Sequence, residues 1–435
     1  MFVDTIFALA SGSVRAAIAV IRISGPRSGP VLATLCGGAL PEPRHAALRR
    51  LRDAAGTVLD HALVLWLPGP GSYTGEDSAE LHLHGGRAVI DGVAAALVGA
   101  GLRPAEPGEF TRRAFLNGRM DLVEAEAVHD LVSAETEAQR RQALRQLEGA
   151  LGALYQDWAD RLRGILAYQE ALIDFPDEDL PPEVEDQLLA TLRTVRQEIA
   201  AHLDDAGRGE KLREGLFFAI TGAPNVGKST LINALAEREV AIVSDIPGTT
   251  RDALETRVVL GGVPVTLVDT AGLRETTDSI EAEGVRRARA RAGEADLVMA
   301  VVEAGSAPPP DLPEGALLIA NKADLGHLGA GHLGPDGALR ISARTGQGMD
   351  VLRSRLADAA RRMTESAGPP PLTRARHRSA LLEAAEALDA AERAPLPELR
   401  GEDLRLAMRA LGRITGHVGV EDILDTVFSR FCIGK

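Results

Sequence analysis

Hydrophobic and polar positions change period several times along the chain. Over the first 118 residues the apolar runs are short and end at turn residues. Residues 17–23 stop at Ser24-Gly25-Pro26, and residues 62–67 stop at Pro68-Gly69-Pro70-Gly71. Glu80-Leu81-His82-Leu83-His84 alternates with period two before Gly85-Gly86, and residues 89–98 take helical spacing. Such runs predict a mixed strand-and-helix domain over 1–118. From Arg119 the spacing becomes three and four: Leu122, Ala125, Val128 and Leu131 share one helical stripe, as do Leu144, Leu147, Leu151 and Leu154. Asp174-Phe175-Pro176-Asp177 interrupts this pattern, and Pro181-Pro182 opens another amphipathic stretch that reaches residue 213. Between 214 and 368, β-rich runs at 216–221, 263–268, 297–302, 317–320 and 339–341 alternate with helical ones. That alternation predicts a mostly parallel sheet with crossover helices. After Gly368-Pro369-Pro370-Pro371 helical periodicity returns, and apolar residues at 423, 424, 427, 428 and 431 predict a last helix over 423–431. The expected fold is multidomain, α/β and α. An N-terminal α+β domain spans 1–118, a helical domain is split between 119–213 and 369–435, and an α/β domain over 214–368 is inserted into it.

At 435 residues the chain has the length of about three domains. Its 45% hydrophobic and 25% charged residues exclude a disordered or fibrous chain. The net charge of −14 runs against the basic excess of a freestanding nucleic-acid binder, so an RNA partner would need a local patch or a second protein. Two cysteines, Cys36 and Cys432, make no disulfide framework, and neither a signal peptide nor a long apolar run is evident. The expected location is cytoplasmic, with no membrane partner. Only four lysines occur, at 211, 228, 322 and 435, against 44 arginines. Three of the four lie in segments that carry chemistry, as expected where a compact ammonium is needed in place of a planar fork.

Directly after the run at 216–221, Gly222-Ala223-Pro224-Asn225-Val226-Gly227-Lys228-Ser229 has the G-x-x-x-x-G-K-S spacing and leads into a helix over 230–236. In that context backbone N–H groups wrap phosphates, Lys228 reaches the β and γ oxygens, and Ser229 offers its hydroxyl to Mg2+. Asp269-Thr270-Ala271-Gly272 follows the next strand and supplies a carboxylate near that metal and a glycine amide near the γ-phosphate. Asn321-Lys322-Ala323-Asp324 follows a later strand, and Asp324 can accept from both N1–H and N2–H2 of guanine, which adenine does not offer. Ser342-Ala343-Arg344 supplies the last base-contacting loop. In this order the motifs resemble a guanine-specific P-loop G domain that binds GTP and GDP. Val226, Gly227 and Thr230 complete the first loop.

Residue 273 is Leu where Ras-like proteins carry a water-orienting Gln, so the hydrolytic group must come from elsewhere. Asn225 and the loop Ser244-Asp245-Ile246-Pro247-Gly248-Thr249-Thr250-Arg251-Asp252 resemble G domains that hold K+ beside the phosphates. The resemblance implies Asn225, Ser244, Ile246 and Thr249 as K+ ligands, and Thr250 as a second Mg2+ ligand beside Ser229. A plainer reading makes Asn225 a loop-stabilising amide.

Short segments elsewhere complete the picture: Asp4-Thr5-Ile6, Arg22-Ile23-Ser24-Gly25, Gly75-Glu76-Asp77, His84-Gly85-Gly86, Pro107-Gly108-Glu109-Phe110, Arg113-Ala114-Phe115-Leu116-Asn117, Asp174-Phe175-Pro176 and the end Cys432-Ile433-Gly434-Lys435. Each is brief, but in this order, together with the G-domain set, they resemble the MnmE (TrmE) family of tRNA-modification GTPases over the whole chain. The resemblance implies that the N-terminal domain is similar to folate-binding aminomethyltransferases and dimerises. It also implies a flavin-containing MnmG-type partner, with FAD held by that partner in a heterotetrameric or larger complex, acting on C5 of the wobble uridine of certain tRNAs. A 5,10-methylene- or 5-formyl-tetrahydrofolate would supply the carbon of a (carboxymethyl)aminomethyl group. Arg22, Glu80, Arg119 and Lys435 match the family's folate positions, with Arg at 119 where Lys is frequent. Cys432 matches a terminal cysteine given a catalytic role, and Glu281 matches the group that positions the hydrolytic water. His82 and His84 share a strand face with Glu80, but no further ligand completes a metal site, which leaves packing or pocket lining. Two alternatives remain. One is an RNA-binding switch of the ribosome-assembly type, against which 372–435 carries 10 basic and 10 acidic side chains and so no basic module. The other is a folate-dependent transferase in which GTP is regulatory.

Overall fold

The computed structural model describes residues 2–12, 16–174, 182–237, 255–269, 295–310, 312–325, 337–365, 369–418, 421–429 and 431–434. They form two units. Met1–His129, Gln146–Glu170 and Gly401–Lys435 make one, and Asp130–Arg145 with Ala171–Arg400 make the other.

The first unit is built on strands β1 (Ile6–Leu9), β2 (Ile18–Ser24), β3 (Ala47–Arg52), β4 (Val58–Leu67), β5 (Ser78–His84) and β6 (Arg103–Pro104), in the order β3-β4-β5-β2-β1-β6. Only the β1–β6 pair is parallel. Alternation sends Phe7, Ile21, Ile23, Val64, Trp66 and Leu81 into a core covered by helices Ser28–Leu35 and Arg87–Gly99. The strands at 17–23, 62–67 and 80–84 and the helix at 89–98 were legible from period and turn residues. Four-residue β1 and Arg-rich β3, with Leu48 exposed at the sheet edge, carry weaker patterns. On the opposite face Ile6, Ala8, Ala105 and Phe110 form a smaller cluster with Tyr73 beside it. Register sets Arg22 between Ala8 on β1 and Glu80 on β5.

A fully buried guanidinium ties this unit together. Arg113 donates to the Asp4 carbonyl (3.1 Å) and carboxylate (2.8 Å), to Glu109 (2.9 Å) and to Glu76 (3.2 Å). Arg103 bridges two of these acids, reaching Asp4 at 2.6 Å and Glu109 at 2.6 Å. Burial opposes ionisation of Asp4 and Glu109, but the two guanidiniums outweigh it and hold both carboxyls below their ordinary values.

The tail is also fixed within this unit. The last helix is Glu421–Phe428, ending three residues earlier than expected. Phe431 leaves it to pack beside Phe428 (centroids 5.4 Å) and His129 (5.0 Å). The Gly108 N–H donates to the Cys432 carbonyl at 3.4 Å. Gly434 has φ +98°, and a Cβ there would stand 2.5 Å from the Leu9 carbonyl oxygen, so the tail runs directly against the end of β1.

In the second unit β7 (Leu216–Thr221), β8 (Glu255–Leu260), β9 (Val263–Asp269), β10 (Leu297–Glu303), β11 (Leu317–Asn321) and β12 (Leu339–Arg340) follow the order β12-β11-β10-β7-β9-β8. All pairs are parallel except β8–β9. Phe218, Ala219 and Ile220 are all buried, which explains the unbroken apolar run of β7 at the centre of the sheet. Helices Lys228–Ala236 and Met349–Thr364 contribute Leu231, Leu235, Leu352 and Leu356 to its core. Helices Pro182–Leu203 and Ala375–Arg393 belong to the same unit and are joined by Arg193–Glu392 and Arg196–Asp389 ion pairs at 2.7 and 3.0 Å. Among the described residues no helix is long and apolar enough to cross a membrane.

Two outcomes are expected. Arg113→Met leaves buried carboxylates without their shared cation and should destabilise the first unit by about 3–5 kcal/mol in urea unfolding. Arg113→Lys, which keeps the charge without the fork, should recover only part of that loss. The second outcome concerns Asp121, which caps helix Leu122–Ser133: its carboxylate accepts from Glu124 N–H at 2.7 Å, and Glu124 accepts from Asp121 N–H at 2.8 Å. Burial, reinforced by the Glu124 charge, pushes the Asp121 carboxyl up from 3.8 to about 6. The folded state therefore binds the extra proton, and stability falls as pH rises through that interval. Asp121→Asn keeps the accepting oxygen and removes the charge. It should match the wild type near pH 4 and exceed it at pH 7 by on the order of 2 kcal/mol in thermal or urea unfolding.

Candidate functional site

The loop that follows β7 is shaped by backbone geometry. Asn225 has φ +64° and Gly227 φ +96°, and Gly227 caps the helix Lys228–Ala236. Successive amides at a helix N-terminus reached through such turns form an anion cradle. Lys228 is buried, and its ammonium donates to the Gly222 and Ala223 carbonyls at 3.0 and 2.8 Å, which holds the charge inside the curve of the loop. Ser229 Oγ stands 3.4 Å from Asp269 Oδ2 at the end of β9. This pair of hard oxygens at the mouth of an anion cradle fits Mg2+ bound with a phosphate ester. Asn225 is exposed on the same loop and offers a further oxygen.

Asn321, at the end of β11, joins this loop to the next. Its Nδ2 donates to the Val226 carbonyl at 2.9 Å and its Oδ1 accepts from Ala343 N–H at 3.0 Å. It is buried, and a Cβ at residue 227 would stand 2.4 Å from its Nδ2, so the glycine is required by the asparagine. Asp324 Oδ1 accepts from Ser342 Oγ at 2.7 Å, and Oδ2 accepts from Arg344 at 3.2 Å. The Ser342 hydroxyl, with help from Arg344, holds the Asp324 carboxyl below its ordinary range. An oriented carboxylate can take two N–H groups from one edge of a flat base. Lys322, at φ +65°, pairs with Glu303 at 3.0 Å. Thus Asn225, Val226, Gly227, Lys228, Ser229, Thr230 and Asp269 gather around one loop, and Asn321, Lys322, Ala323, Asp324, Ser342, Ala343 and Arg344 around its neighbour. Ser244, Asp245, Ile246, Pro247, Gly248, Thr249, Thr250, Thr270, Ala271, Gly272, Leu273, Glu281 and Lys435 lie outside the described residues.

A second cluster lies in the first unit. Arg22 reaches Glu80 with Nε at 3.1 Å and a terminal nitrogen at 3.0 Å. Its guanidinium carbon is 5.4 Å from the centre of the Tyr73 ring and 5.9 Å from that of Phe110. Burial pushes the Tyr73 phenol up, and its hydroxyl pairs with Thr111 Oγ1 at 2.9 Å. Arg119 is exposed, and its side-chain stem lies against Gly75, so Arg22 and Arg119 border the same loop, 73–75. His82 turns to Glu80 at 3.4 Å while His84 pairs with Asp60 at 2.8 Å, so the two histidines serve different carboxylates. No group of metal-ligating side chains occurs among the described residues. Carboxylate, guanidinium and aromatic rings together suit a flat heterocycle with N–H groups and an anionic tail. The tail segment approaches through Gly434 against Leu9 and Ala10, on the strand paired with that of Arg22, and Cys432 is exposed. Sequence reasoning did not single out Tyr73. Phe110 and Arg113 stood inside motifs without a role assigned to them.

Comparison with known proteins agrees over both units. A family model described as GTP-binding protein TrmE N-terminus matches residues 5–119, and one described as MnmE helical domain matches 122–432. A protein of Gluconacetobacter diazotrophicus named tRNA modification GTPase MnmE is 64% identical over 434 residues, covering 99% of this chain and 98% of that one. Proteins of the same name from Granulibacter bethesdensis and Rhodospirillum rubrum are 57% and 56% identical, covering 99% and 100% of this chain and 99% and 100% of their own.

The bridge between the two loops gives a direct test. Asn321→Ala orphans the Val226 carbonyl and the Ala343 N–H, at about 1–3 kcal/mol. Affinity for a guanine nucleotide, measured by fluorescence titration, should fall about tenfold or more, and Asn321→Asp should not rescue it, because it keeps the bond from Ala343 but sets a buried carboxylate oxygen against the Val226 carbonyl.

Proposed function

We infer that this chain, which belongs to the MnmE family of tRNA-modification GTPases, hydrolyses GTP in the course of tRNA modification. The observation that supports the reading best is the convergence of the Lys228 loop, Asp269 and the Asp324–Ser342 pair at the C-terminal ends of the parallel strands, joined by Asn321. GTP enters with its phosphates on the loop amides and Lys228, and its guanine edge on Asp324. Water attacks the γ-phosphorus, the bond to the β–γ bridging oxygen breaks, and GDP and inorganic phosphate leave. Ser229 and Thr250 would hold Mg2+, which would neutralise phosphate charge. Asn225, Ser244, Ile246 and Thr249 would hold K+, which would supply the positive charge that an arginine finger supplies elsewhere. Leu273 cannot orient water, so Glu281 takes that role.

The finer reading assigns the Arg22–Glu80 cluster to a tetrahydrofolate derivative. Glu80 accepts from the pterin N–H groups, while Arg119 and Lys435 hold the glutamate tail. The Arg22–Glu80 pair beside Tyr73 and Phe110 supports this, as does the close approach of Gly434 to β1. Cys432 is proposed to act in the transfer. The product is a (carboxymethyl)aminomethyl group at C5 of the wobble uridine, made in the cytoplasm by a homodimer with an MnmG-type flavoprotein. Mass spectrometry of tRNA from a strain lacking the protein should show loss of that modification. Intact wobble uridine modification with accumulated ribosomal precursors would instead favour the ribosome-assembly alternative. Replacing KCl by NaCl at constant ionic strength should lower GTP turnover by about tenfold or more with little change in nucleotide affinity, given the 10³–10⁵ in rate that an arginine finger supplies. Equal rates in the two salts would remove K+ from the mechanism.

A further inference from the structure

Helices Ala150–Asp174 and Pro397–Thr415 leave between them, in the first unit, a cavity of about 420 Å3. That volume is in the range of small-molecule sites, and no residue assigned above lines it. Leu166, Met408 and Val418 give it apolar walls, and the almost fully buried Tyr155 lines it as well. Gly412 belongs to the same lining, and a Cβ there would come within 3.1 Å of a Val418 methyl. Glycine in a helix interior costs about 1 kcal/mol relative to alanine. Here it spares the space that a side chain would fill.

Three arginines line the cavity, Arg163, Arg405 and Arg409. Each is ion-paired: Arg163 with Asp160, Arg405 with Glu170 (3.0 Å) and Glu402 (3.3 Å), and Arg409 with Glu402 (3.6 Å). None of those carboxylates lines the cavity. The pairs are exposed, and pairs of that kind are worth about 0–1 kcal/mol, so the guanidiniums can exchange a carboxylate for another anion at little cost. Arginines that line the space while their counter-ions lie outside it, beside apolar walls, suit an anionic group on a flat body. Gln156 and Thr415 add hydrogen-bonding groups for the edge of that body. A nucleotide in single-stranded RNA has this composition, with a phosphate for the arginine forks and a base for the apolar slot.

We propose that this cavity receives one unstacked nucleotide of the RNA on which the protein acts. That this RNA is tRNA rests on the reading above. Trp158 stands 5.7 Å from Tyr155, ring to ring, and so reports on the cavity. In the full-length protein, UMP should change tryptophan emission saturably, and the Arg405→Gln/Arg409→Gln double variant should lose that response. The double variant should also bind unmodified tRNA about tenfold more weakly and with a flatter salt dependence, while GTP hydrolysis without tRNA is unchanged. Arg163→Gln, at an exposed position, should weaken both ligands in the same direction and serves as the second variant should the double one fold poorly. Absence of a UMP response in the wild type overturns the proposal. So does a UMP response with unaltered tRNA affinity in the variants, which would mark a site for free nucleotides. A wild type that binds UMP at the cavity but holds no tRNA counts against both the tRNA reading and the RNA occupant, whereas variants that fail only with UMP count against the occupant alone.

Discussion

A guanidinium with no exposed surface has to be neutralised where it stands, and Arg113 meets that demand with two acids from distant parts of the chain and one from the first turn of its own helix. Asp4 precedes β1, Glu76 lies in the loop before β5, and Glu109 opens the helix that carries Arg113 itself. Once these are fixed, much of the first unit follows. Ser24 at the end of β2 donates to the same Glu76 at 2.8 Å, which fixes the loop bearing Tyr73 and Thr74. Gly108, the residue before Glu109, receives the tail through the Cys432 carbonyl. The Arg22–Glu80 cluster and the tail thus depend on one buried charge that contacts neither directly.

Such dependence is invisible to spacing. The nucleotide loops were legible because their chemistry occupies consecutive residues: a strand, a glycine-rich turn and a helix start cannot be rearranged without losing the cradle. The central strands were legible for a similar reason, since burial on both faces leaves an unbroken apolar run such as 216–221. Antiparallel β8 and edge strand β3 carry polar residues on their open sides, and their periods blur. The motifs around Asp4, Glu76 and Glu109 could be recognised as segments, yet nothing in 1–118 says that they meet at Arg113. The end of the last helix was read three residues too far along because Phe431 keeps the helical spacing while packing from a turn. The cavity between helices Ala150–Asp174 and Pro397–Thr415 had no signature at all, because its arginines come from segments more than two hundred residues apart.

The preference for arginine bears on how the structure is held. Planar forks bind two oxygens at once, and Arg103 and Arg113 use that capacity: Arg113 alone reaches four acceptors, more than the three N–H groups of a lysine could serve. The described lysines sit where a fork would not fit or is not needed. Lys228 lies between two carbonyls of a tight loop, Lys322 meets the single carboxylate of Glu303, and Lys211 meets that of Asp296 at 3.1 Å.

The contact between residue 227 and Asn321 carries a consequence for how the sequence can change. A methyl group at 227 would overlap the amide of Asn321, and shortening Asn321 to make room would strip two backbone groups of their partners. Each replacement alone is a loss, and their combined effect is not the sum of the two, because both act on the same few ångströms of space. Positions far apart in the chain therefore behave as one heritable unit. A lineage drifting at either site meets a valley that single steps do not cross, so the pair is expected to stay together while the surrounding surface diverges.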